Sequence, residues 1–106
     1  MDTLSRLEKT IAERSTGNPE VSYVAQLNQR GLPVIARKLG EEATEAVVAA
    51  LTGTSEELVG EAADVLFHLM VLLDARDIPL GDVMAELDRR EGLSGLEEKA
   101  SRGGKD

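Results

Sequence analysis

The fold is decided by residues 38–73, which read KLGEEATEAVVAALTGTSEELVGEAADVLFHLMVLL. Apolar residues recur along this stretch at helical spacing, except at Thr52-Gly53-Thr54. A break this short joins two helices only as an antiparallel hairpin. Thr54 and Glu57 have the spacing of a capping box, which predicts where the second helix begins.

Four acidic residues are placed symmetrically about this break. Glu45 and Glu61 each lie eight residues from Gly53, and Glu42 and Asp64 each lie eleven residues from it. With a rise of ~1.5 Å per residue, the two pairs reach the same height on facing helices. Because residues three apart share one face of a helix, the sequence predicts that the four carboxylates converge.

Converging carboxylates need a counter-charge, and a divalent cation with oxygen ligands supplies it. Mg²⁺ is the expected ion, and Mn²⁺ suits the same ligands. Mg²⁺ held by a few carboxylates also grips substrate phosphates, which favours hydrolysis of a phosphate ester or anhydride. The alternative, a solvated acidic face, fits Asp64 poorly, because Asp64 and His68 are the only polar side chains between Ala62 and Leu73. We therefore expect Asp64 to be buried and paired.

Composition restricts the class of protein further. A chain of 106 residues is expected to form one domain, and its core must be aliphatic, since Tyr23 and Phe67 are its only aromatic residues. The net charge of −8 argues against nucleic acid or an anionic membrane as a partner. Cysteine is absent, and apolar runs such as Leu69–Leu73 are too short to span a membrane. The expected location is the cytoplasm.

The periodicity predicts an all-α fold, an antiparallel bundle of four to five helices. The broadly apolar surface of the helix after Thr54 favours completion of this bundle by a second subunit. Residues 1–92 are expected to form the domain and residues 93–106 a flexible tail. The predicted helices cover about 3–14, 23–30, 33–51, 55–75 and 80–90.

Three further residues are candidates for contacts with a substrate. His68 follows Asp64 by one turn and is either a functional group or a satisfied core histidine. Lys38 precedes Glu42 by one turn and either holds a phosphate or forms an ion pair with that glutamate. Tyr23 is either a substrate contact or a packing residue with a solvated hydroxyl.

Two segments carry a resemblance to a known family. Residues 38–45 (KLGEEATE) and 61–68 (EAADVLFH) resemble the phosphoribosyl-ATP pyrophosphohydrolases of histidine biosynthesis, which are MazG-like all-α nucleotide pyrophosphohydrolases. Glu42 and Glu45 match the first half of the E-x-x-E/E-x-x-D signature, and Glu61 and Asp64 match the second. Phe67 stands where many members have tyrosine.

The resemblance implies a Mg²⁺-dependent homodimer that hydrolyses phosphoribosyl-ATP to phosphoribosyl-AMP and pyrophosphate. We expect Glu41 or Glu45 to activate the attacking water and Lys38 to steady the leaving charge. The alternatives are a hydrolase of dUTP, dCTP or a damaged nucleotide on the same fold, a di-iron carboxylate protein, and a non-enzymatic helical module. The di-iron alternative lacks the Glu-x-x-His pairs that such a centre needs.

Overall fold

A computed structural model describes residues 2–102, and every regular element in that range is an α-helix. None of these helices has a stretch apolar and long enough to cross a membrane. The elements are α1 (Thr3–Arg14), α2 (Tyr23–Arg30), α3 (Leu32–Thr52), α4 (Ser55–Ala75), α5 (Leu80–Arg90) and α6 (Gly95–Ser101).

The hairpin of α3 and α4 turns at residues 53 and 54. The Oγ of Thr54 accepts from the backbone N–H of Glu57 at 3.1 Å, and the Glu57 carboxylate accepts from the N–H of Thr54 at 3.2 Å. This reciprocal pair is the predicted capping box, and it fixes the start of α4. A Cβ at Gly53 would approach the Ala49 carbonyl oxygen to 3.0 Å, so a larger residue would crowd the backbone at this close turn.

The core lies at the end of the hairpin away from this turn. Helix α1 packs against α4, and α2 packs mainly against α3 with its Tyr23 side chain in contact with α4. Leu80, at the start of α5, joins the same core. The buried apolar side chains are Ile11, Val24, Leu27, Ile35, Met70, Val71 and Leu80. The half of the hairpin nearer the turn keeps apolar side chains in solvent, namely Val47, Val48, Leu51, Val59 and Leu66.

The all-α fold and the five predicted helices are confirmed, with bounds within one residue of those predicted. The helix α6 was not predicted. Its start carries a Ser94 and Glu97 capping box, in which the Ser94 Oγ accepts from the Glu97 N–H at 3.0 Å. That pattern is visible in the sequence and would have predicted the helix. Residues 103–106 of the predicted tail lie outside the described residues, and the tail's flexibility stays a prediction.

Candidate metal centre

Three of the four predicted acids meet between α3 and α4. Glu42, Glu45 and Glu61 each place a carboxylate oxygen within 4.8 Å of the other two. The first two lie one turn apart on α3, and the third lies on α4 directly across from them. We call these three residues the acidic cluster. The equal distances of Glu45 and Glu61 from Gly53 predicted that these two residues meet, and Glu42 joins them from one turn away on α3.

Glu42 is largely enclosed, with a side chain that is 12% exposed. Burial raises the pKa of its carboxyl, and the neighbouring Glu45 raises it further through a hydrogen bond and through charge repulsion. His68 acts in the opposite direction, and Asp64 adds a further increase. The pKa of Glu42 is therefore raised by the cluster as a whole, as expected for acids that share one site.

Glu61 carries the clearest sign of a missing partner. Its Oε2 is buried and accepts no hydrogen bond from any described residue. Desolvation raises the pKa of this carboxyl, and repulsion from Glu45 and Asp64 raises it further. A buried, unpartnered carboxylate oxygen beside two other carboxylates is unfavourable unless a cation or a proton joins it.

Asp64 departs from expectation. It lies close enough to raise the pKa of Glu42 and Glu61, but it is exposed and falls outside the acidic cluster. The expectation that Asp64 is buried is wrong for this chain by itself. The reason is that the apolar side chains around it on α4, such as Val59 and Leu66, are not covered by the chain's own helices. Its role as a fourth ligand stays a prediction.

Lys38 lies beside the cluster on α3. Its Nζ is 3.7 Å from a carboxylate oxygen of Glu42 and 3.9 Å from one of Glu41. Both distances are long for an ion pair, so the ammonium group is held loosely between two acids. Glu41 points toward solvent, with a side chain that is 53% exposed. Each of these residues borders the cluster without belonging to it, and their predicted roles stay predictions.

His68 and Tyr23 contact each other, although 45 residues separate them. The Tyr23 hydroxyl lies 3.0 Å from His68 Nε2, and His68 Nδ1 lies 2.7 Å from the backbone carbonyl oxygen of Asp64. Both ring nitrogens are thus occupied within the chain. Nothing in the local spacing of the sequence indicated this bond, because it depends on how α2 packs against α4. The predicted substrate contacts of both residues stay untested.

The residues of the cluster fit a hard divalent cation. All the available donors are carboxylate oxygens, the ligand type that Mg²⁺ and Mn²⁺ prefer. Glu42, Glu45 and Glu61 are close enough to share one ion, and the unpartnered Oε2 of Glu61 would gain a ligand bond. An ion there would also remove the mutual repulsion that raises the pKa of Glu42 and Glu61.

Comparison with known proteins connects this geometry to a family. The model of the family described as phosphoribosyl-ATP pyrophosphohydrolase matches residues 4–91. A phosphoribosyl-ATP pyrophosphatase of Erythrobacter litoralis is 67% identical over 97% of this chain and 99% of its own length. The protein of that name from Novosphingobium aromaticivorans is 64% identical over 95% of this chain and 94% of its own. A third, from Rhizorhabdus wittichii, is 60% identical over 94% of both chains.

Fold, site and relatives together define the class, an all-helical hydrolase with an acidic cluster between two antiparallel helices. Within that class, the chain belongs to the phosphoribosyl-ATP pyrophosphohydrolase family. The match includes both halves of the acidic signature and extends from α1 to the residue after α5. The resemblance noted from two short segments is thereby confirmed over most of the chain.

Proposed function

We propose that this protein hydrolyses phosphoribosyl-ATP between its α and β phosphates, in the second step of histidine biosynthesis, with Mg²⁺ as the metal ion. Membership of the family supports the substrate. The observation that supports the metal is the meeting of Glu42, Glu45 and Glu61 within 4.8 Å, with one oxygen of Glu61 buried and unpartnered. Mn²⁺ is expected to replace Mg²⁺ because it takes the same ligands.

The acidic cluster and Asp64 would hold the ion between α3 and α4. When bound, Mg²⁺ supplies charge neutralisation for the phosphate oxygens and lowers the pKa of water in its shell. The hairpin contributes rigidity, since α3 and α4 fix the spacing of the carboxylates before any substrate arrives. This spacing is set by the regular backbone of the two helices on either side of Gly53.

A carboxylate of the chain accepts the proton of the attacking water. Glu45 is suited to this role because it is exposed and adjacent to the other two acids. Glu41 is the second candidate, since its exposed carboxylate borders the cluster on the same helix. As water oxygen bonds to phosphorus, the anhydride bond breaks, and pyrophosphate leaves with the bridging electrons. The ammonium group of Lys38 is held loosely by two acids, so it can leave them and pair with a phosphate oxygen of the substrate.

A second copy of the chain is proposed to cover the exposed apolar half of the hairpin. Leu51 is 80% exposed and Val59 is 69% exposed, although both lie on helices that carry the acidic cluster. A monomer rarely leaves such a patch uncovered, and a homodimer would bury it beside Asp64. Leu51→Glu is expected to shift the protein from dimer to monomer in light scattering.

The cytoplasm is the proposed compartment.

The activity is tested by measuring pyrophosphate release from phosphoribosyl-ATP, ATP, dUTP and dCTP, each with Mg²⁺ and with a chelator. The proposal predicts rapid release from phosphoribosyl-ATP and loss of release when the metal is chelated. Equal turnover of dUTP or dCTP would instead indicate a nucleotide hydrolase of broader function, and turnover in the chelator would contradict the proposed metal.

A further inference from the structure

Two hydrogen bonds in series connect α2 to the turn of α4 that bears Asp64. The Tyr23 hydroxyl meets His68 Nε2 at 3.0 Å, and His68 Nδ1 meets the Asp64 carbonyl oxygen at 2.7 Å. We call these two bonds the tyrosine–histidine link. The second bond is made with the backbone of Asp64, so its side chain remains available for other partners.

The direction of both bonds follows from the chemistry of the groups. A carbonyl oxygen only accepts, so Nδ1 of His68 must carry a proton and donate it. In the neutral ring, Nε2 then holds a lone pair and accepts from the Tyr23 hydroxyl. The tautomer of His68 is thereby fixed by the backbone of its own helix, and Tyr23 is the donor that this tautomer requires.

The Phe67 ring packs against both side chains of the link and restricts their movement. Tyr23 stacks on Phe67 with centroids 6.1 Å apart and planes 18° apart. His68 stands edge-on to Phe67 at 5.2 Å and is 5% exposed. A buried ring enclosed by two aromatic neighbours cannot turn without breaking both of its hydrogen bonds. Rotation of α4 about its axis would break the bond between Tyr23 and His68, because Tyr23 lies on α2.

Such a rotation of α4 would separate the carboxylates of the acidic cluster. Glu61 lies two turns before His68 on α4, and it meets Glu42 and Glu45 only while α4 presents this face to α3. Charge repulsion within the cluster pushes the helices the other way when no cation is bound. We infer that Tyr23 and His68 are positioning residues, which hold α4 in the orientation that keeps Glu61 and Asp64 toward α3. The inference rests on the metal centre proposed above.

This assignment differs from a direct contact of Tyr23 with substrate. A positioning role predicts that loss of the hydroxyl weakens metal binding in the absence of substrate. A substrate contact predicts unchanged metal binding and a higher KM at saturating metal. The two roles therefore separate in an experiment that uses the metal alone.

The experiment titrates the full chain with Mn²⁺ and follows free Mn²⁺ by electron paramagnetic resonance. The variants are Tyr23→Phe, which removes only the hydroxyl, and His68→Asn, whose amide nitrogen replaces Nδ1 but cannot reach Tyr23. The double variant completes a cycle. Thr52→Val is the matched control, because it removes a hydroxyl bonded 2.9 Å from a carbonyl of its own helix, away from the cluster.

Each single variant is expected to raise the Kd for Mn²⁺ about fivefold, the effect of one neutral hydrogen bond. The double variant should bind no more weakly than the weaker single variant, since both changes remove the same bond. Thr52→Val should bind as the wild type does. Thermal unfolding followed by circular dichroism identifies any variant that fails to fold, and Tyr23→Phe, at a half-exposed position, keeps the test decisive if His68→Asn does not fold.

Two further measurements distinguish a positioning role of Tyr23 from a simple loss of protein stability. The Mg²⁺ concentration that gives half-maximal rate should rise in Tyr23→Phe, whereas a smaller folded fraction would lower the rate at every Mg²⁺ concentration. Tyr23 is the only tyrosine and tryptophan is absent, so absorbance in the tyrosine band, at longer wavelength than that of Phe67, reports on this ring alone. Mg²⁺ should change that absorbance in the wild type and not in His68→Asn.

Equal Mn²⁺ affinity in the wild type and Tyr23→Phe would overturn the inference and leave the metal centre intact. Additive losses in the double variant would also overturn it, because the two residues would then act separately. Absence of Mn²⁺ binding in the wild type would refute the metal centre itself, and the positioning role with it.

Discussion

The carboxylates of Glu45 on α3 and Glu61 on α4 lie within 4.8 Å of each other across the helical hairpin. Their repulsion contributes to the raised pKa of Glu61, whose second oxygen is buried without a hydrogen-bond donor. The arrangement is unfavourable in the metal-free protein and favourable once a cation is bound. The stability of the free protein and the affinity for the ion should therefore change in opposite directions when one of these acids is neutralised.

Replacing Glu61 by glutamine should separate these two effects. Glu61→Gln removes the repulsion, so the metal-free variant is expected to melt at a higher temperature than the metal-free wild type. The same change removes a ligand, so turnover should fall by about 100-fold or more. Calorimetric melting and pyrophosphate release measure the two quantities. Glu56→Gln, an exposed acid on α4 outside the cluster, should neither raise the melting temperature nor lower turnover, and a Glu61→Gln variant with wild-type turnover would contradict the assignment.

Asp64 is the sharper test of the four-acid prediction, because the chain by itself leaves this side chain exposed. We expect Asp64→Asn to lose turnover with little change in helicity, as measured by circular dichroism. An isosteric amide keeps the shape of the side chain and removes the charge that a cation needs. If Asp64→Asn hydrolyses phosphoribosyl-ATP at the wild-type rate, only the three acids of the cluster remain as ligands.

Helix geometry converts equal distances from Gly53 into equal heights, so the sequence predicted that Glu45 and Glu61 face each other. The one-turn spacing of Glu42 and Glu45 adds Glu42 to the same cluster. The sequence did not predict the exposure of Asp64. The apolar surface of α4 predicted burial, but Val59 and Leu66 are exposed, because periodicity shows that a helix face is apolar and not that the chain's own helices cover it. Similarly, the bond between Tyr23 and His68 depends on how α2 packs against α4, and no local spacing encodes that contact.

Acid should weaken α5 as the carboxylate of Glu86 becomes protonated. Glu86 accepts from Arg89 and Arg90 at 2.8–2.9 Å, and these bonds lower the pKa of its carboxyl to about 2. A lowered pKa gives stability that is present above the ordinary value near 4.5 and is lost as the pH falls toward 2. Glu86→Gln should therefore be slightly less stable than the wild type at pH 7 and equal to it near pH 2.

Urea unfolding at a series of pH values measures that difference. The effect should be small, because the pair is exposed and exposed ion pairs contribute little. Glu20→Gln, an exposed acid in the loop before α2, provides the comparison and should show no such pH dependence. A difference at pH 7 that persists unchanged at pH 2 would show that Glu86 acts through packing rather than through its charge.

Gly40 gives a test of how closely the substrate approaches α3. A Cβ added at this position meets no protein atom within 4 Å, although the residue lies between Lys38 and Glu41 in mid-helix. Gly40→Ala should therefore stabilise the protein by about 1 kcal/mol, since alanine is the better helix former. The expected rise in melting temperature is about 4–8 °C for a domain of this size.

The functional effect of the same change locates the substrate. If a nucleotide passes over Gly40, the added methyl group should raise the KM while the protein becomes more stable. Gly81→Ala, at another helical glycine with open space around it, provides the control on α5 and should leave the KM unchanged. A KM for Gly40→Ala equal to that of the wild type would place the substrate elsewhere on the hairpin.

The central claim is that the acidic cluster between α3 and α4 binds a divalent cation before any substrate arrives. Isothermal titration of the substrate-free protein with Mg²⁺ tests it most directly, with a variant of Glu42→Gln, Glu45→Gln and Glu61→Gln together as the comparison. We expect saturable Mg²⁺ binding in the wild type and none in the triple variant. Equal heats from the two proteins, or no binding to either, would contradict the claim.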